Sequence, residues 1–273
     1  MKFEFYKYEV CGNDFVIINN LGDSKTKINS NQTIKKICDR NFGIGADGLI
    51  FIENDNKYDF EMIYHNSDGI ESSLCGNGAR ACIDFVCDLK KVKEVFFKST
   101  AGIHFGRIDG KNKVYFQLQD VFFKNISFLK NDYVINTGSP HYVKFIDDLN
   151  KIDFLHDAKK IRNNNRFIKK GINVNFTQKI IKKDFQKTNR FRGFYSMTYE
   201  RGVEAETLSC GTGAAAIAVA LFDSGVVLDD CYRIIFKGGE IKVSLSKNSE
   251  KNKYDNIFLS SSVNFVFKGT YSK

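Results

Sequence analysis

The sequence CGNGA at residues 75–79 returns, with one residue changed, as CGTGA at residues 210–214. Each copy runs directly into an apolar, alanine-containing stretch, and we predict helices over about residues 77–89 and 212–224. A glycine-rich turn followed by a helix thus occurs once in each half of the chain. This repeat predicts two similar domains with a cleft between them.

A thiol on a glycine-rich turn at the start of a helix has particular chemistry. The first N–H groups of a helix lack acceptors and carry the positive end of its dipole, so they bind carboxylates. The same surroundings lower the pKa of a thiol, which makes it a better base or nucleophile. Cys75 and Cys210 are therefore candidate reactive thiols, and the repeat predicts that they face one substrate from opposite sides.

The rest of the chain alternates short segments rich in Phe, Tyr, Ile and Val with turn residues, which is typical of strands. Further helices are expected over about residues 31–40, where Asn31 or Thr33 would be the cap, and over 147–160. Many strands with few helices indicate an α+β fold rather than a parallel doubly wound sheet. Polar residues at 120–132 interrupt the strand pattern and predict the domain boundary there.

Composition limits the class of protein. The chain has 273 residues, of which 42% are hydrophobic and 27% charged, as in ordinary globular proteins of two domains. Its N-terminus alternates like a strand and no apolar run has the length of a membrane span, so we expect a cytoplasmic protein without a membrane partner. Seven cysteines without a Cys-x-x-Cys pair favour free thiols over disulfides or a metal site.

The net charge of +9 raises the alternative of a nucleic-acid-binding protein. Such proteins usually carry a focused basic stripe, whereas the basic residues here are scattered in short clusters. Nucleic-acid binding therefore stays a remote alternative, and we expect no nucleic-acid partner.

Two thiols on opposite faces of one carbon are suited to inverting a stereocentre next to a carboxylate. A thiolate removes the proton from one face, and a thiol delivers a proton to the other. The charge of the carbanion spreads into the carboxylate, where two helix N-termini would stabilise it. A single copy of the motif is equally consistent with a buried structural cysteine, but the pair favours a racemase or epimerase without a cofactor.

A series of motifs over nearly the whole chain resembles the diaminopimelate epimerase family. In the family's order they are CGNDF (11–15), CDRNFGIGADG (38–48), NSDG (66–69), CGNGAR (75–80), TGSPH (137–141), NVNF (173–176), YERG (199–202) and CGTG (210–213). The resemblance implies two α+β domains, each a curved, mostly antiparallel sheet around a central helix, with the active site in the cleft. The N-terminal domain would be 1–125 with the last strand, about 263–273, returning to it, and the C-terminal domain 126–262.

The same resemblance implies the reaction. Cys75 and Cys210 would epimerise LL-2,6-diaminoheptanedioate to meso-diaminopimelate, a precursor of lysine and peptidoglycan, without cofactor or metal. The substrate-binding residues would be Asn13, Asn66, Gly76, Asn77, Asn173, Glu200, Arg201, Gly211 and Thr212. His141 and Glu200 would tune or position the thiols. A homodimer is the assembly to be expected, since the family is often dimeric.

Some features leave the substrate open. Ser139 stands where the family often has asparagine, and the turn between Arg201 and Cys210 is slightly longer than in many members. A proline or hydroxyproline racemase on the same fold also uses paired cysteines, but it needs no contacts for a distal group.

The other five cysteines are expected to be structural, with Cys231 in an apolar pattern and Cys11 as a candidate third exposed thiol.

Overall fold

Each half of the chain folds as a sheet around one buried helix. The computed structural model describes residues 2–22, 25–28, 30–110, 113–179, 193–225 and 231–272. Its N-terminal unit comprises Met1–Gln117 with Ser260–Lys273, and its C-terminal unit comprises Leu118–Leu259.

The strands occupy most of the described residues. Up to residue 117 they are β1 (Lys2–Val10), β2 (Asn13–Asn20), β3 (Gly48–Glu53), β4 (Phe60–Asn66), β5 (Glu71–Ser72), β6 (Glu94–Ser99), β7 (Gly102–Asp109) and β8 (Lys113–Gln117). From residue 118 they are β9 (Val121–Phe122), β10 (Ile126–Leu129), β11 (Asp132–Asn136), β12 (Pro140–Ile146), β13 (Asn173–Lys179), β14 (Gly193–Glu200), β15 (Ala205–Thr207), β16 (Cys231–Phe236), β17 (Gly239–Asn248), β18 (Lys253–Ser262) and β19 (Asn264–Ser272). The helices are α1 (Asn31–Cys38), α2 (Gly76–Lys90), α3 (Phe154–Arg162) and α4 (Gly211–Asp223).

The two units pair their strands in the same pattern. In the N-terminal unit, β1 is antiparallel to β2, β2 parallel to β3, β3 antiparallel to β4, and β4 parallel to β6. In the C-terminal unit, the pairs β11–β12, β12–β13, β13–β14 and β14–β16 repeat that order of antiparallel, parallel, antiparallel and parallel. The chain is therefore an internal repeat at the level of topology.

One central helix packs against the strands of each unit. Helix α2 contacts β1, β2, β4, β6, β7 and β8, and α4 contacts β11, β12, β13, β16 and β17. Because strands surround α4 on several sides, it is apolar nearly all round, and residues 213–221 are buried. Lys91 caps the end of helix α2: its backbone is left-handed (φ 57°), and its N–H donates to the Cys87 carbonyl.

The outer helices differ from the sequence prediction at their first residues. Ser30, rather than Asn31 or Thr33, caps α1 by accepting a bond from the Thr33 N–H. The predicted helix over 147–160 begins only at Phe154, where the Asp153 carboxylate caps the His156 N–H, while Leu149–Lys151 forms a separate 3-10 turn. Asp148 accepts from the Asn150 N–H and Asp153 from the His156 N–H, so each aspartate starts a turn of its own and the predicted helix is divided in two.

Strand β19 returns the C-terminus to the N-terminal unit. It pairs antiparallel with β1 from Lys2↔Ser272 to Glu9↔Asn264. Aromatic pairs accompany the ladder, with Phe3 against Tyr271 and Phe5 against Phe267. The first and last segments of the sequence therefore share one sheet.

Candidate active site

Both repeated cysteines are the residue that precedes the first turn of a central helix. Cys75 has an extended backbone (φ −122°, ψ 120°), and its carbonyl accepts the first helical bond from the Ala79 N–H at 2.7 Å. Cys210 does the same (φ −138°, ψ 111°) for the Ala214 N–H at 2.9 Å. Cys75 is half-buried and Cys210 is 8% exposed. In each helix the N–H groups that follow the cysteine lie at the positive end of the dipole.

A glycine in each first turn allows close packing behind the thiol. A Cβ on Gly213 would lie 2.6 Å from Asn175 Oδ1 and 3.3 Å from Cys210 Sγ. A Cβ on Gly78 would lie 3.0 Å from Ile50 Cδ1 and 3.5 Å from Cys75 Cβ. Close packing therefore explains why glycine occupies this position of the motif, and the space beside it is tighter in the second copy.

Two asparagines meet beside Cys75. Asn77 Nδ2 donates to Asn13 Oδ1 at 2.6 Å, and Asn13 Nδ2 donates to Asp47 Oδ2 at 2.9 Å. Asp47 in turn accepts from the Arg40 guanidinium at 2.7 Å. The predicted site residues Asn13 and Asn77 are thus in contact, and their amide groups have a defined orientation.

Charged side chains hold the loop that carries Asp47. Asp14 accepts two bonds from Arg40, at 3.0 and 2.7 Å, and one from the Lys7 ammonium at 2.7 Å. Burial raises the pKa of Asp14, but the bonds from Arg40 and Lys7 outweigh it and lower that pKa to about 2. Lys7 also donates to the Gly45 carbonyl. This network connects the loop at 40–47 to β1 and β2.

A neutral hydrogen-bonded chain leads to Cys210 in the C-terminal unit. His141 Nε2 lies 3.0 Å from Thr212 Oγ1, which lies 3.6 Å from Cys210 Sγ. The Asn175 amide orients the imidazole: its Oδ1 accepts from Thr198, and its Nδ2 donates to the Tyr142 carbonyl and to His141 Nδ1. Since Nδ1 accepts, the proton of the neutral ring is assigned to Nε2, which donates to Thr212.

His141 is uncharged in the folded protein. Its imidazole is fully buried, and burial, with the nearby Arg201 charge, lowers its pKa to about 3. The group that contacts Thr212 is therefore a neutral hydrogen-bond donor near neutral pH.

Asn173 joins several predicted site residues. Its Nδ2 donates to Ser139 Oγ at 2.9 Å and to the Pro140 carbonyl at 3.1 Å, while its Oδ1 accepts from the Arg201 backbone N–H at 2.8 Å. The Arg201 guanidinium donates to the Lys170 carbonyl at 3.2 Å. The Ser139 hydroxyl thus accepts a hydrogen bond that orients the predicted site residue Asn173.

Glu200 and Asn66 end equivalent strands of the two units. Glu200 is the last residue of β14, and burial raises its pKa. Asn66 is the last residue of β4 and closes a turn by backbone bonds with Gly69 and Ile70. The longer turn after Arg201 is held by Glu204, which accepts from Arg162 on α3 at 2.8 Å.

The sequence pattern does not single out three residues that hydrogen-bond to predicted site residues: Asp47, Asn175 and Arg80. Asn175 carries a usable signal in the sequence, because residues i and i+2 of a strand share a face and Asn173 is a predicted site residue. Asp47 and Arg80 lie within quoted motifs, but only the fold shows that Asp47 contacts Asn13 and that Arg80 donates to Asn77.

Two expectations about the remaining cysteines were wrong. Cys11, in the tight turn between β1 and β2, is only 8% exposed, and Cys231, at the start of β16, is exposed. Cys38, Cys82 and Cys87 are buried, as expected, and burial raises the pKa of each thiol. Their thiols are therefore uncharged near neutral pH.

Within the described ranges, no three His, Cys, Asp or Glu residues cluster in a way that could hold a metal ion. In the same part of the chain, no helix has the length and apolar character needed to cross a bilayer.

Known proteins resemble this chain in sequence and in fold. The diaminopimelate epimerase family matches residues 5–119 and 133–257. A diaminopimelate epimerase from Flavobacterium psychrophilum is 40% identical over 268 residues, 98% of this chain and 99% of that protein. A phenazine biosynthesis protein of the PhzF family from Bacillus anthracis superposes over 100% of both chains, with a TM-score of 0.72 at 14% identity. A probable proline racemase from Agrobacterium radiobacter covers 98% of this chain and 92% of its own, with a TM-score of 0.67 at 12% identity.

These likenesses confirm the α+β fold class predicted from the sequence. At 12% and 14% identity the two solved structures bear on the fold alone.

Proposed function

Because the chain belongs to the diaminopimelate epimerase family, we propose that Cys75 and Cys210 are the acid–base pair with which it converts LL-2,6-diaminoheptanedioate into the meso isomer. The observation that carries the proposal is the shared position of the two thiols. Each is the residue before a central helix, on a glycine-rich turn of the same topological repeat.

The chemistry needs one base and one acid. A thiolate takes the proton from Cα and becomes a thiol, and the electron pair of the broken C–H bond spreads into the carboxylate. The opposite thiol then gives its proton to the other face of Cα and becomes the thiolate. The N–H groups of Gly76, Asn77, Gly211 and Thr212 bind the carboxylate, where negative charge develops.

The amide groups around each thiol position the reacting end of the substrate. Asn77 and Asn13 are bonded to each other and held by Asp47, so little reorganisation is needed when substrate binds. Near Cys210, the neutral His141 donates to Thr212, which leaves the hydroxyl proton of Thr212 available to the sulfur. In this role His141 positions a donor and does not itself transfer a proton.

The distal end of the substrate carries a second ammonium and a second carboxylate. Arg201 can grip a carboxylate with two parallel bonds, and Asn173, bonded to the Arg201 backbone, lies beside it. Asn66 completes this set, and Glu200 binds the ammonium at the reacting end. The proline or hydroxyproline type of racemase remains the second candidate, and substrate profiling separates the two reactions.

We further propose a cytoplasmic homodimer. The mechanism needs both thiols reduced, which the cytoplasm provides. Strand β19 exposes Phe265, Val266 and Phe267 by 52%, 53% and 45%, an apolar surface suited to a second copy. Sedimentation of the wild type as a dimer and of Val266→Lys as a monomer would support this assembly; a monomeric wild type would refute it.

The reaction is tested by proton NMR of reduced protein with the LL isomer in deuterium oxide. Loss of the α-proton signal with formation of the meso isomer is expected for the wild type, and its abolition for Cys75→Ala and Cys210→Ala. Cys82→Ala, which removes a buried thiol on the same helix as Cys75, and Cys231→Ser should both remain active. Formation of the meso isomer that survives in either catalytic variant would exclude the two-thiol mechanism, because one remaining thiol can exchange the α-proton but cannot invert the centre.

A further inference from the structure

The turn between β14 and β15 carries Arg201 and has an uncommon backbone conformation. Gly202 and Glu204 both lie in the left-handed region, with φ values of 91° and 55°. Glycine adopts this region freely, but a residue with a side chain does so at a cost in conformational energy. The Glu204 N–H closes the turn by donating to the Glu200 carbonyl at 2.8 Å. Further contacts of Glu204 must outweigh the strain.

The Glu204 carboxylate makes those contacts. Its Oε1 accepts from Arg162 Nη2 at 2.8 Å, from Arg162 Nε at 3.2 Å and from the Gly202 N–H at 3.2 Å. Burial raises the pKa of Glu204, but the bonds from Gly202 and Arg162 outweigh it and lower that pKa. Arg162 is the last residue of α3, where a cation is favourable, and its side chain is only 14% exposed. The ion pair therefore fastens the turn to the end of α3.

The side chain of Arg201 crosses the loop that follows α3. A Cβ on Gly171 would lie 2.5 Å from Arg201 Cδ, 2.8 Å from Arg201 Cγ and 3.2 Å from Arg162 Nη2. Gly171 has a φ of 72°, and its N–H donates to the Phe167 carbonyl at 2.7 Å. A side chain at this position would displace the stem of Arg201. Both arginines thus lie against the same glycine.

Three contacts hold Arg201 in place. Its backbone N–H donates to Asn173 Oδ1 at 2.8 Å, and its Nη1 donates to the Lys170 carbonyl at 3.2 Å. Its stem lies on Gly171. Among the residues that the structure describes, none accepts a hydrogen bond from its Nε or Nη2. Those two groups form the edge of a guanidinium that binds a carboxylate through two parallel bonds, so the contacts that hold Arg201 leave this edge free.

We propose, on the basis of the epimerase function above, that Arg162 and Glu204 are a positioning pair that fixes the reach of the Arg201 guanidinium, so that the enzyme selects diacids by the length of the carbon chain between their two carboxylates. An unrestrained arginine has many rotamers and can follow a shorter or a longer substrate. A guanidinium held in advance pairs well at one distance only, and it loses less entropy when the substrate binds.

A purely structural ion pair would stabilise the turn without affecting selectivity, and four variants separate the two roles. Glu204→Gly removes the carboxylate but adopts the left-handed φ without strain, so the free energy of unfolding should change little. Arg162→Gln removes the partner charge, and Arg162→Lys keeps it. Lys160→Ala removes an exposed cation two residues earlier on α3 and is the matched control.

The first measurement is kcat/KM for LL-2,6-diaminoheptanedioate and for its homologues with one methylene fewer and one more between the stereocentres. The wild type should prefer the first over each homologue by about tenfold or more. In Glu204→Gly and Arg162→Gln, the KM for the first should rise about tenfold with a smaller change in kcat, and the preference should fall by a similar factor. Arg162→Lys should recover part of the preference, and Lys160→Ala should match the wild type.

The second measurement needs no substrate. Heteronuclear relaxation gives the order parameter of the Arg201 Nε–H group, whose signal is assigned by its loss in Arg201→Lys. This group should be ordered in the free wild type and in Lys160→Ala. It should be more mobile in Glu204→Gly and in Arg162→Gln.

Four results would overturn the proposal: a mobile Arg201 in the free wild type, an Arg201 equally ordered in the folded variants, a wild type that does not discriminate chain length, and an undiminished preference in the variants. The first needs no variant, so it applies even if a substitution prevents folding. A wild type that converts none of the three diacids would refute the proposed function, and the relaxation measurement would still decide whether the pair holds Arg201.

Discussion

At the scale of single residues, burial decides how the site behaves with pH. The pKa of His141 is lowered to about 3, first by burial and then by the Arg201 charge. An unfolded histidine has a pKa of about 6.5. Between these values the unfolded chain binds a proton that the folded chain does not. The free energy of unfolding is therefore highest with respect to His141 above about pH 6.5, and it decreases as the pH falls towards 3.

The variant His141→Gln, which has no titrating ring, should therefore lose less stability on acidification. Between pH 7 and pH 5 the wild type should lose about 2 kcal/mol more than this variant, from a slope that approaches about 1.4 kcal/mol per pH unit. Urea denaturation at several pH values measures the difference. The exposed His156→Gln is the control and should follow the wild type; equal slopes in all three proteins would show that His141 is protonated in the fold.

Asp47 is the residue through which the loop at 40–47 acts on the site. Asp47→Ala removes the acceptor that orients Asn13, and kcat/KM should fall about tenfold, which corresponds to one lost hydrogen bond of about 1.4 kcal/mol. Asp47→Asn keeps one acceptor oxygen and should lose less. Steady-state kinetics would be compared with Asp55→Ala, a carboxylate that caps an exposed turn; full activity in Asp47→Ala would remove Asp47 from the proposed site.

At the scale of elements, the two central helices begin with the same glycine-rich turn, but we expect a glycine-to-alanine substitution to destabilise them to different extents. Sequence patterns predicted both helices to within a residue or two, because glycine-rich starts and apolar runs are local signals. The start of α3 could not be predicted in this way. Whether Asp148 or Asp153 caps a helix depends on which turn the rest of the unit packs against.

The matched pair Gly213→Ala and Gly78→Ala tests the difference between the helix starts. At Gly213 the new methyl group would lie 2.6 Å from Asn175 Oδ1, so we expect a loss of about 1–3 kcal/mol from overpacking and a large loss of activity. At Gly78 the nearest atom is a side-chain methyl at 3.0 Å, and the higher helix propensity of alanine, about 1 kcal/mol, offsets the strain. Thermal unfolding and activity should rank Gly78→Ala above Gly213→Ala; the reverse order would contradict this packing.

At the scale of the whole molecule, one unit is formed by a single stretch of the chain and the other by two stretches. The C-terminal unit is continuous, Leu118–Leu259, whereas the N-terminal unit needs Ser260–Lys273 as well as Met1–Gln117. Without β19, the buried rings of Phe3, Phe5 and Tyr8 would lose their aromatic partners on that strand. Exposing each such side chain costs about 1.5–3 kcal/mol, a large part of the stability of a domain.

A fragment of residues 118–259 should therefore fold alone, and a fragment of residues 1–117 should not. Circular dichroism and heteronuclear NMR spectra would show dispersed signals only for the first. Addition of a peptide of residues 260–273 should restore structure to the second fragment, and a scrambled peptide is its control. A folded 1–117 fragment without the peptide would show that β19 is dispensable.

The sequence by itself determined the class of fold, the two central helices and the place of a cysteine before each of them, because these depend on local periodicity, turn chemistry and a repeated motif. Only the tertiary structure decided which polar groups meet. The contacts of Asn13 with Asp47, of His141 with Asn175, and of Arg80 with Asn77 depend on strand register and on turns far apart in the chain. Long-range pairing of this kind leaves no local pattern, so the polar surroundings of each thiol appear only when the chain is folded.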